Sequence, residues 1–393
     1  MMSKKIISLL GSLLVAVAVT FAVLSCFSVC LDGQLAELDS KQILLNNGAR
    51  EKEQGLYLLQ RSVRHGDLFL LGSSELDSPV PQNPIGLFPN QDLPVQINKV
   101  GRAHKQSLLD GIMLGALSVD ENAKMAMVVS MQWFYGEDVD AKGTQSNFSE
   151  VQYYAFMHND NISEECKQYA SARLAKLLAG ESQLGAAQLY AKLHETNNIF
   201  SVIGRWVLYP YYEGKYQLLL LKDKYNAYKY LRDAKEETLV AKNIDWREEQ
   251  RKAAEMGKEK CTNNSLYVYD EYYDKYLAPK WDSLKGGMSK ESLLTSKEKE
   301  DYQFFLKIAQ AKQVKPYMIF MSANGWYYDY QGLNKDKRYA LYDWLDQETA
   351  AYGFEYFDTR DYEYMPYVYC DVMHLGWKGW LYVGENISKH FGK

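Results

Sequence analysis

Cysteine is scarce in this chain, with five among 393 residues. Cys26 and Cys30 sit inside an apolar run, which leaves Cys166, Cys261 and Cys370, an odd number. No metal-ligand spacing occurs and no disulfide framework can be read. At most one pair could bridge, and unpaired, mostly buried thiols are the plainer expectation. Basic residues are not in excess either. Lys and Arg total 45 against 50 Asp and Glu, a net charge of −5, and a nucleic-acid partner, which needs a basic face, is excluded on that ground. Contact with an anionic polymer would have to come from a local patch. Charge is missing altogether from Ile6 to Leu31. As a helix that run spans ~39 Å, enough to cross a ~30 Å hydrocarbon core with some tilt. Lys4 and Lys5 precede it and Asp32 follows, which predicts a cytoplasmic N-terminus and an outer location for the rest. A cleaved signal peptide would have a shorter apolar core and a small-residue cleavage site, neither of which is evident. A lipoprotein signal would place its lipid on Cys26, where Leu24 fits the required box poorly. A permanent single-pass anchor is the expectation.

The remainder has ordinary globular composition, 47% hydrophobic and 24% charged. Asp32 to Gly66 reads as a polar, mainly helical stalk that Gly66 can end. Strands are predicted at Leu68–Leu71, Val95–Val100, Met125–Ser130, Tyr317–Ser322 and Phe354–Asp358, short apolar runs bounded by turn residues. Helices are predicted at Ser107–Val119, Lys337–Tyr352 and Gly376–His390. Strands alternating with helices predict a parallel α/β sheet with right-handed crossovers. From Ser146 to Val314 strand character is low; CKQYASARLAKLLAG and LGAAQLYAKLHETN are amphipathic, and WREEQRKAAEMGKEK reads as a solvated helix. The expected division is an anchor over 6–31, a stalk over 32–66, the first part of the α/β domain over 67–145, a helical insertion over 146–314 and the second part over 315–393. Tyrosine is abundant at 32 residues; core-edge packing and composition bias explain it more simply than a sugar or glycerol-phosphate surface.

Two stretches carry chemistry. LFLLGSSE, Leu68 to Glu75, is a buried strand that stops in a tight turn, and reactive groups gather at the carboxyl ends of such strands. DVMHLGWKGW, near the other end, holds Asp371 and His374 three apart. Serine, imidazole and carboxylate are the parts of an acyl-transfer triad. Asp371 can accept from one ring nitrogen of His374 while the other faces serine. Each motif alone is weak, since small residues make turns and Asp-x-x-His arises by chance. Their order and α/β context sharpen the signal. His104 and His194 are further acid–base candidates, with surface or satisfied core roles the commoner case. Arg102 and Lys105 are candidates for a polymer phosphate, against ordinary solvated charge. Asn324 would contact substrate or simply make a turn before Gly325.

The order, serine first and Asp-x-x-His last, resembles the SGNH (GDSL-type) hydrolase superfamily. Its Gly-Asp-Ser turn matches Gly72-Ser73-Ser74, so the resemblance makes Ser74 the nucleophile with Asp371 and His374 as partners. Nearly the whole chain resembles the DltD family, D-alanyl transfer proteins of Gram-positive teichoic acid modification. The resemblance lies in the anchor, GSSE, GRAHKQSL, SMQWF, ANGWYYDYQG and DxxHLGWKGW. It implies a three-layer α/β fold with a parallel sheet, a helical insertion and one N-terminal transmembrane helix. Ala103 and His104 stand where the family's run has glycines, a block in which a backbone N–H helps form the oxyanion hole. The superfamily's asparagine donor after the third strand is replaced by Gln132, which can also donate, or hold the loop. Implied is a membrane-anchored, extracytoplasmic serine acyltransferase passing D-alanine to lipoteichoic acid. A membrane-bound O-acyltransferase and an aminoacyl carrier protein are the implied partners. No cofactor is called for. A thioesterase or esterase using water, or a non-catalytic scaffold, remains the alternative.

Overall fold

A computed structural model describes residues 4–45 and 49–392, with only the backbone described over 4–10 and 13–14. The Lys4–Lys5 side chains therefore lie outside the described set. Helix α1 (Lys4–Asp39) runs unbroken through the apolar stretch and beyond it. Its segment Val15–Asp39 is long and apolar enough to cross a membrane, and almost none of its most apolar window is covered by protein. The stalk is not a free linker. Leu35 of α1, Ile43, Leu45 and Leu58 pack with Ala227 and Leu231 in a small core of their own.

Helix α2 (Tyr57–His65) ends at Gly66, whose φ of +72° is costly for residues with a β-carbon. The reversal feeds directly into β1 (Leu68–Gly72). Then follow β2 (Ile97–Gly101), α3 (Ser107–Ala116) and β3 (Met125–Ser130). The helical stretch comprises chiefly α4 (Glu150–His158), α5 (Glu164–Leu177), α6 (Gly185–His194), α7 (Ile199–Asp233), α8 (Trp246–Lys260) and α9 (Glu298–Ala311). The chain closes with β4 (Tyr317–Met321), α10 (Lys335–Ala351), β5 (Tyr356–Asp358) and α11 (Trp377–Phe391).

The five strands form one parallel sheet in the order β2-β1-β3-β4-β5. Side chains alternate between its faces, as strand geometry requires. Phe69, Leu71, Met127, Val129, Met318 and Phe320 enter one core with α3, α9 and the insertion. Leu68, Leu70, Ala126, Val128, Ile319 and Met321 enter the other, against α11 and the buried edge of α8. This is the three-layer α/β architecture expected from the sequence. The helical stretch between β3 and β4 contributes Tyr153, Tyr154 and Leu174 to the same core as β1, so it extends that core. β2 begins at Ile97, two residues past the expected start, because Leu68 is level with Ile97. β5 shrinks to three partly exposed residues at the sheet edge. Helix α7 falls inside the stretch expected to be helical, but no helix with its bounds is expected from the sequence. Cys166, Cys261 and Cys370 are all buried and unbridged.

Candidate active site

β2 and β3 flank β1 on opposite sides, so the connection changes direction at β1. In open α/β sheets the crevice at such a switch point is the usual ligand site. Ser73 and Ser74 follow β1 there. Gly72 has to lack a side chain, because a Cβ would lie 2.8 Å from Glu75 Oε1 and 3.0 Å from Leu76. The chain can therefore fold back on itself in a 3-10 turn over Ser74–Asp77. Gly101 abuts the Gly72 carbonyl at a distance no Cβ would tolerate, which lets the loop after β2 close on this turn.

The two serines have different surroundings. Ser73 is buried, donates its hydroxyl to the Arg102 carbonyl at 3.1 Å, and gives its backbone N–H to the Glu75 carboxylate. Ser74 is half-buried, and its Oγ lies 3.4 Å from His374 Nε2. His374 Nδ1 is 2.7 Å from Asp371 Oδ2. An ionised carboxylate only accepts, so Nδ1 carries the proton and Nε2 is left as an acceptor facing Ser74. A 3.4 Å separation is long for a hydrogen bond, as is common before substrate compresses a site. Asp371 is fixed in turn, its Oδ1 accepting from the backbone N–H groups of Met373 (2.8 Å) and His374 (2.7 Å). The Asp371–His374 segment bulges from a tight hairpin, in which Cys370 N–H donates to the His374 carbonyl at 3.0 Å and Gly376 N–H to Val368 at 2.6 Å. Ser74 and the Asp371–His374 pair, from the two ends of the chain, thus meet at the carboxyl edge of the sheet.

Burial works to lower the His374 pKa, but the Asp371 carboxylate outweighs it and the net shift is upward. Glu75 is also inside the site. Burial raises its carboxyl to about 7, against partial relief from the backbone N–H groups of Ser73 and Glu75. Neither Glu75 nor Tyr272, whose phenol is raised by burial and then by the Asp371 charge, carried a role in the sequence reading. The only sequence signal for Glu75 was its place in GSSE.

The other expected residues divide. Gln132 follows β3 in a 3-10 turn beside the site, half-buried, and among the described residues its amide has no hydrogen-bond partner. Arg102 is half-buried at the rim. His104 has φ of +67°, the conformation that favours the glycine expected there. Its ring is largely exposed and sits 3.7 Å from Asp140, so any oxyanion role would fall to its backbone. Lys105 turns inward, 2.7 Å from the fully buried Asp110, and is not placed to hold a polymer phosphate. Asn324 is buried with its amide satisfied: Nδ2 donates to Leu266 at 2.8 Å and Oδ1 accepts from Tyr327 N–H at 3.1 Å. Its backbone N–H reaches the Val372 carbonyl at 3.3 Å, between the two triad residues of the loop. It holds that loop and, at 1% exposure, presents almost no surface to the crevice. His194 is half-buried and far from these groups in the fold's helical stretch, its Nδ1 donating to the Tyr190 carbonyl at 2.8 Å and its ring packed on that of Tyr190. Among the described residues no cluster of three His, Cys, Asp or Glu side chains converges to hold a metal ion.

A parallel sheet with a serine after its first strand and Asp-x-x-His after its last is the arrangement of the SGNH hydrolase class. Comparison with known proteins narrows this. The chain belongs to the DltD family, whose model, described as DltD protein, matches residues 48–392. It is 28% identical to Protein DltD of Bacillus subtilis over 343 residues, 86% of each chain. It is 25% identical to Protein DltD of Staphylococcus aureus over 82% of this chain and 80% of that one. Protein DltD of Lacticaseibacillus rhamnosus is 22% identical, over 81% and 75%. Membership ties the chain to D-alanine transfer in the lipoteichoic acid pathway.

Proposed function

We propose that this protein is a serine-dependent D-alanyl transferase, held by α1 in the membrane with its α/β domain on the outer side. The reading is carried by the relay from Asp371 through His374 to Ser74. Ser74 Oγ attacks the carbonyl carbon of a D-alanyl ester or thioester while Nε2 of His374 takes the hydroxyl proton. The donor's alcohol or thiol leaves with that proton, and D-alanine remains esterified to Ser74. A polymer hydroxyl then attacks the same carbonyl, gives its proton to Nε2, and the proton returns to Ser74 Oγ. Backbone N–H groups of the Ser74 and His104 turns, with the Gln132 amide, are the candidate donors to the oxyanion. Arg102 at the rim is the candidate contact for a polymer phosphate. The donor would come from a membrane-bound O-acyltransferase of the same pathway, itself supplied by an aminoacyl carrier protein. No cofactor enters these steps.

The test is Ser74→Ala and His374→Ala in cells, with D-alanine esters on lipoteichoic acid as the readout. Each variant should lose transfer by about 10³-fold or more while staying folded and membrane-bound. Retained D-alanylation in both would leave only a scaffold role. Purified protein that consumed donor equally with and without polymer, leaving the polymer unmodified, would instead be a hydrolase.

A further inference from the structure

We infer that the first half of α7 presents its outer stripe to lipid as a second, monotopic membrane contact beside the anchor. The inference rests on reading α1 as a membrane span. Ile199, Ile203, Trp206, Val207 and Pro210 recur at helical spacing and form one stripe, and the four non-proline members are exposed. Phe200 beside them is 82% exposed and Trp206 80%. A contiguous apolar patch of this kind on an otherwise polar protein marks a contact surface.

The opposite face of the same turns is built into the protein. Ser201 and Tyr212 are buried, and Gly204 lies against Leu193. All three charged side chains between Ile199 and Leu221 are tied inward. Arg205 donates to the carbonyls of Leu193 (3.1 Å) and Thr196 (3.2 Å). Glu213 meets His158 at 3.0 Å, and Lys215 meets Glu150 at 2.6 Å. The outer stripe is left free of charge by this arrangement. These same charges keep the first half of α7 from crossing the bilayer as a second span, so it would touch lipid with its outer stripe only.

The second half of α7 fixes which surface the stripe meets. Lys224 reaches Ser28 (3.2 Å) and Asp32 (3.0 Å) of α1, and Tyr225 packs on Phe27 with ring centroids 6.2 Å apart. Farther along, Leu231 offers its carbonyl to Lys41 at 2.9 Å, just past the end of α1. Residue numbers rise together along both helices, so they run in the same direction. Moving back from Lys224 toward Ile199 therefore leads toward the lipid-exposed part of α1. Leu218, Leu220 and Leu221 line a mainly apolar trough with Val17, Phe21 and Leu24 on that side, with Glu213, Gln217 and Lys224 also in its wall. The stripe is continuous with the surface of the span, and its Trp206, with the exposed Tyr209 and Tyr211 flanking it, is of the residue types enriched at bilayer interfaces. The occupant this favours is outer-leaflet lipid.

The test uses the full chain in vesicles of phosphatidylcholine and phosphatidylglycerol, with and without acyl-brominated phosphatidylcholine. Tryptophan emission should be quenched by the brominated lipid, and Trp206→Phe should reduce the quenched component by roughly twofold or more. The thermal midpoint of Trp206→Phe should match wild type, since the ring makes little contact within the protein. Membrane-retained protein with equal quenching in both forms would overturn the inference. So would a photo-crosslinker at Phe200 that captured another protein in cells and no lipid. Release of the wild-type chain by alkaline carbonate would overturn the anchor reading itself, a separate failure.

Discussion

Glu75→Gln isolates the cost of a buried acid beside Ser74. The wild-type carboxyl is 1% exposed and accepts from Ser73 N–H. Its pKa rises from 4.5 to about 7 on folding, chiefly through burial. At about 1.4 kcal/mol per unit this corresponds to roughly 3 kcal/mol of pH-dependent stability. The folded-state value is raised, so the contribution is fully present below pH 4.5 and lost as pH climbs through about 7. Glutamine keeps an amide oxygen for Ser73 and has no proton to lose. The stability of Glu75→Gln relative to wild type should therefore increase by roughly 3 kcal/mol between about pH 4.5 and 7.5. Urea unfolding of the full chain in detergent, followed by near-ultraviolet circular dichroism at a series of pH values, measures it. Activity gives a second readout. The Glu75 charge helps to raise the His374 pKa, so the acid limb of the transfer rate should move to lower pH in the variant. A stability difference that stayed flat with pH, or moved the other way, would refute the assignment of Glu75 as a buried acid with a raised pKa.

Two further outcomes follow from the same site. Asp371→Asn removes the carboxylate that raises His374, so the acid limb of activity should fall toward or below the ordinary imidazole value. Transfer should drop by about 10³–10⁴-fold because the ring loses its fixed tautomer; a pH–rate profile reads both effects, and an unmoved limb would separate Asp371 from the triad. Asn324→Ala removes the donor to Leu266 and the cap on Tyr327 N–H, which should cost about 1–3 kcal/mol in unfolding free energy. Since Asn324 holds the loop and is buried away from the crevice, kcat should fall with KM for donor little changed; a rise in KM alone would restore the substrate-contact role.

What was legible in the sequence follows from where each residue's environment is decided. Met125–Ser130 stood out because a strand covered on both faces must be apolar throughout, and both of its faces are buried. The edge strand Tyr356–Asp358 was overextended because exposure at Tyr356 and a short pairing with β4 leave no periodic signal. Helix α7 lies within the expected helical stretch, but its bounds do not show in the sequence for a different reason. Its inner face is set by α4, α6 and α1, its outer stripe is apolar without being buried, and Pro210 sits in the middle. No single periodicity survives that combination. The stalk read as polar because Leu35, Ile43 and Leu58 find their partners in Ala227 and Leu231, far away along the chain. Lys105 read as surface charge because the burial of Asp110 is a tertiary fact.

The site separates in the same way, and the choice between two adjacent serines shows why. Both have hydroxyls at the same turn, and the motif match alone favours Ser74. The structure adds a physical reason. Ser73 gives its hydroxyl to Arg102 and its backbone N–H to Glu75, joining the turn to the loop after β2. Ser74 keeps its Oγ toward the imidazole. On the other side, Asn324 and the Cys370–His374 hairpin hold the loop that presents Asp371 and His374. Reacting groups must be particular residue types, because nucleophilicity and proton transfer belong to few side chains, and so they leave a mark in the sequence. The groups that hold them need only one hydrogen bond in the right place, which a carbonyl, an amide or a buried acid can supply. For that reason the positioning residues Ser73, Glu75 and Asn324 become recognisable only when the two ends of the chain are seen together.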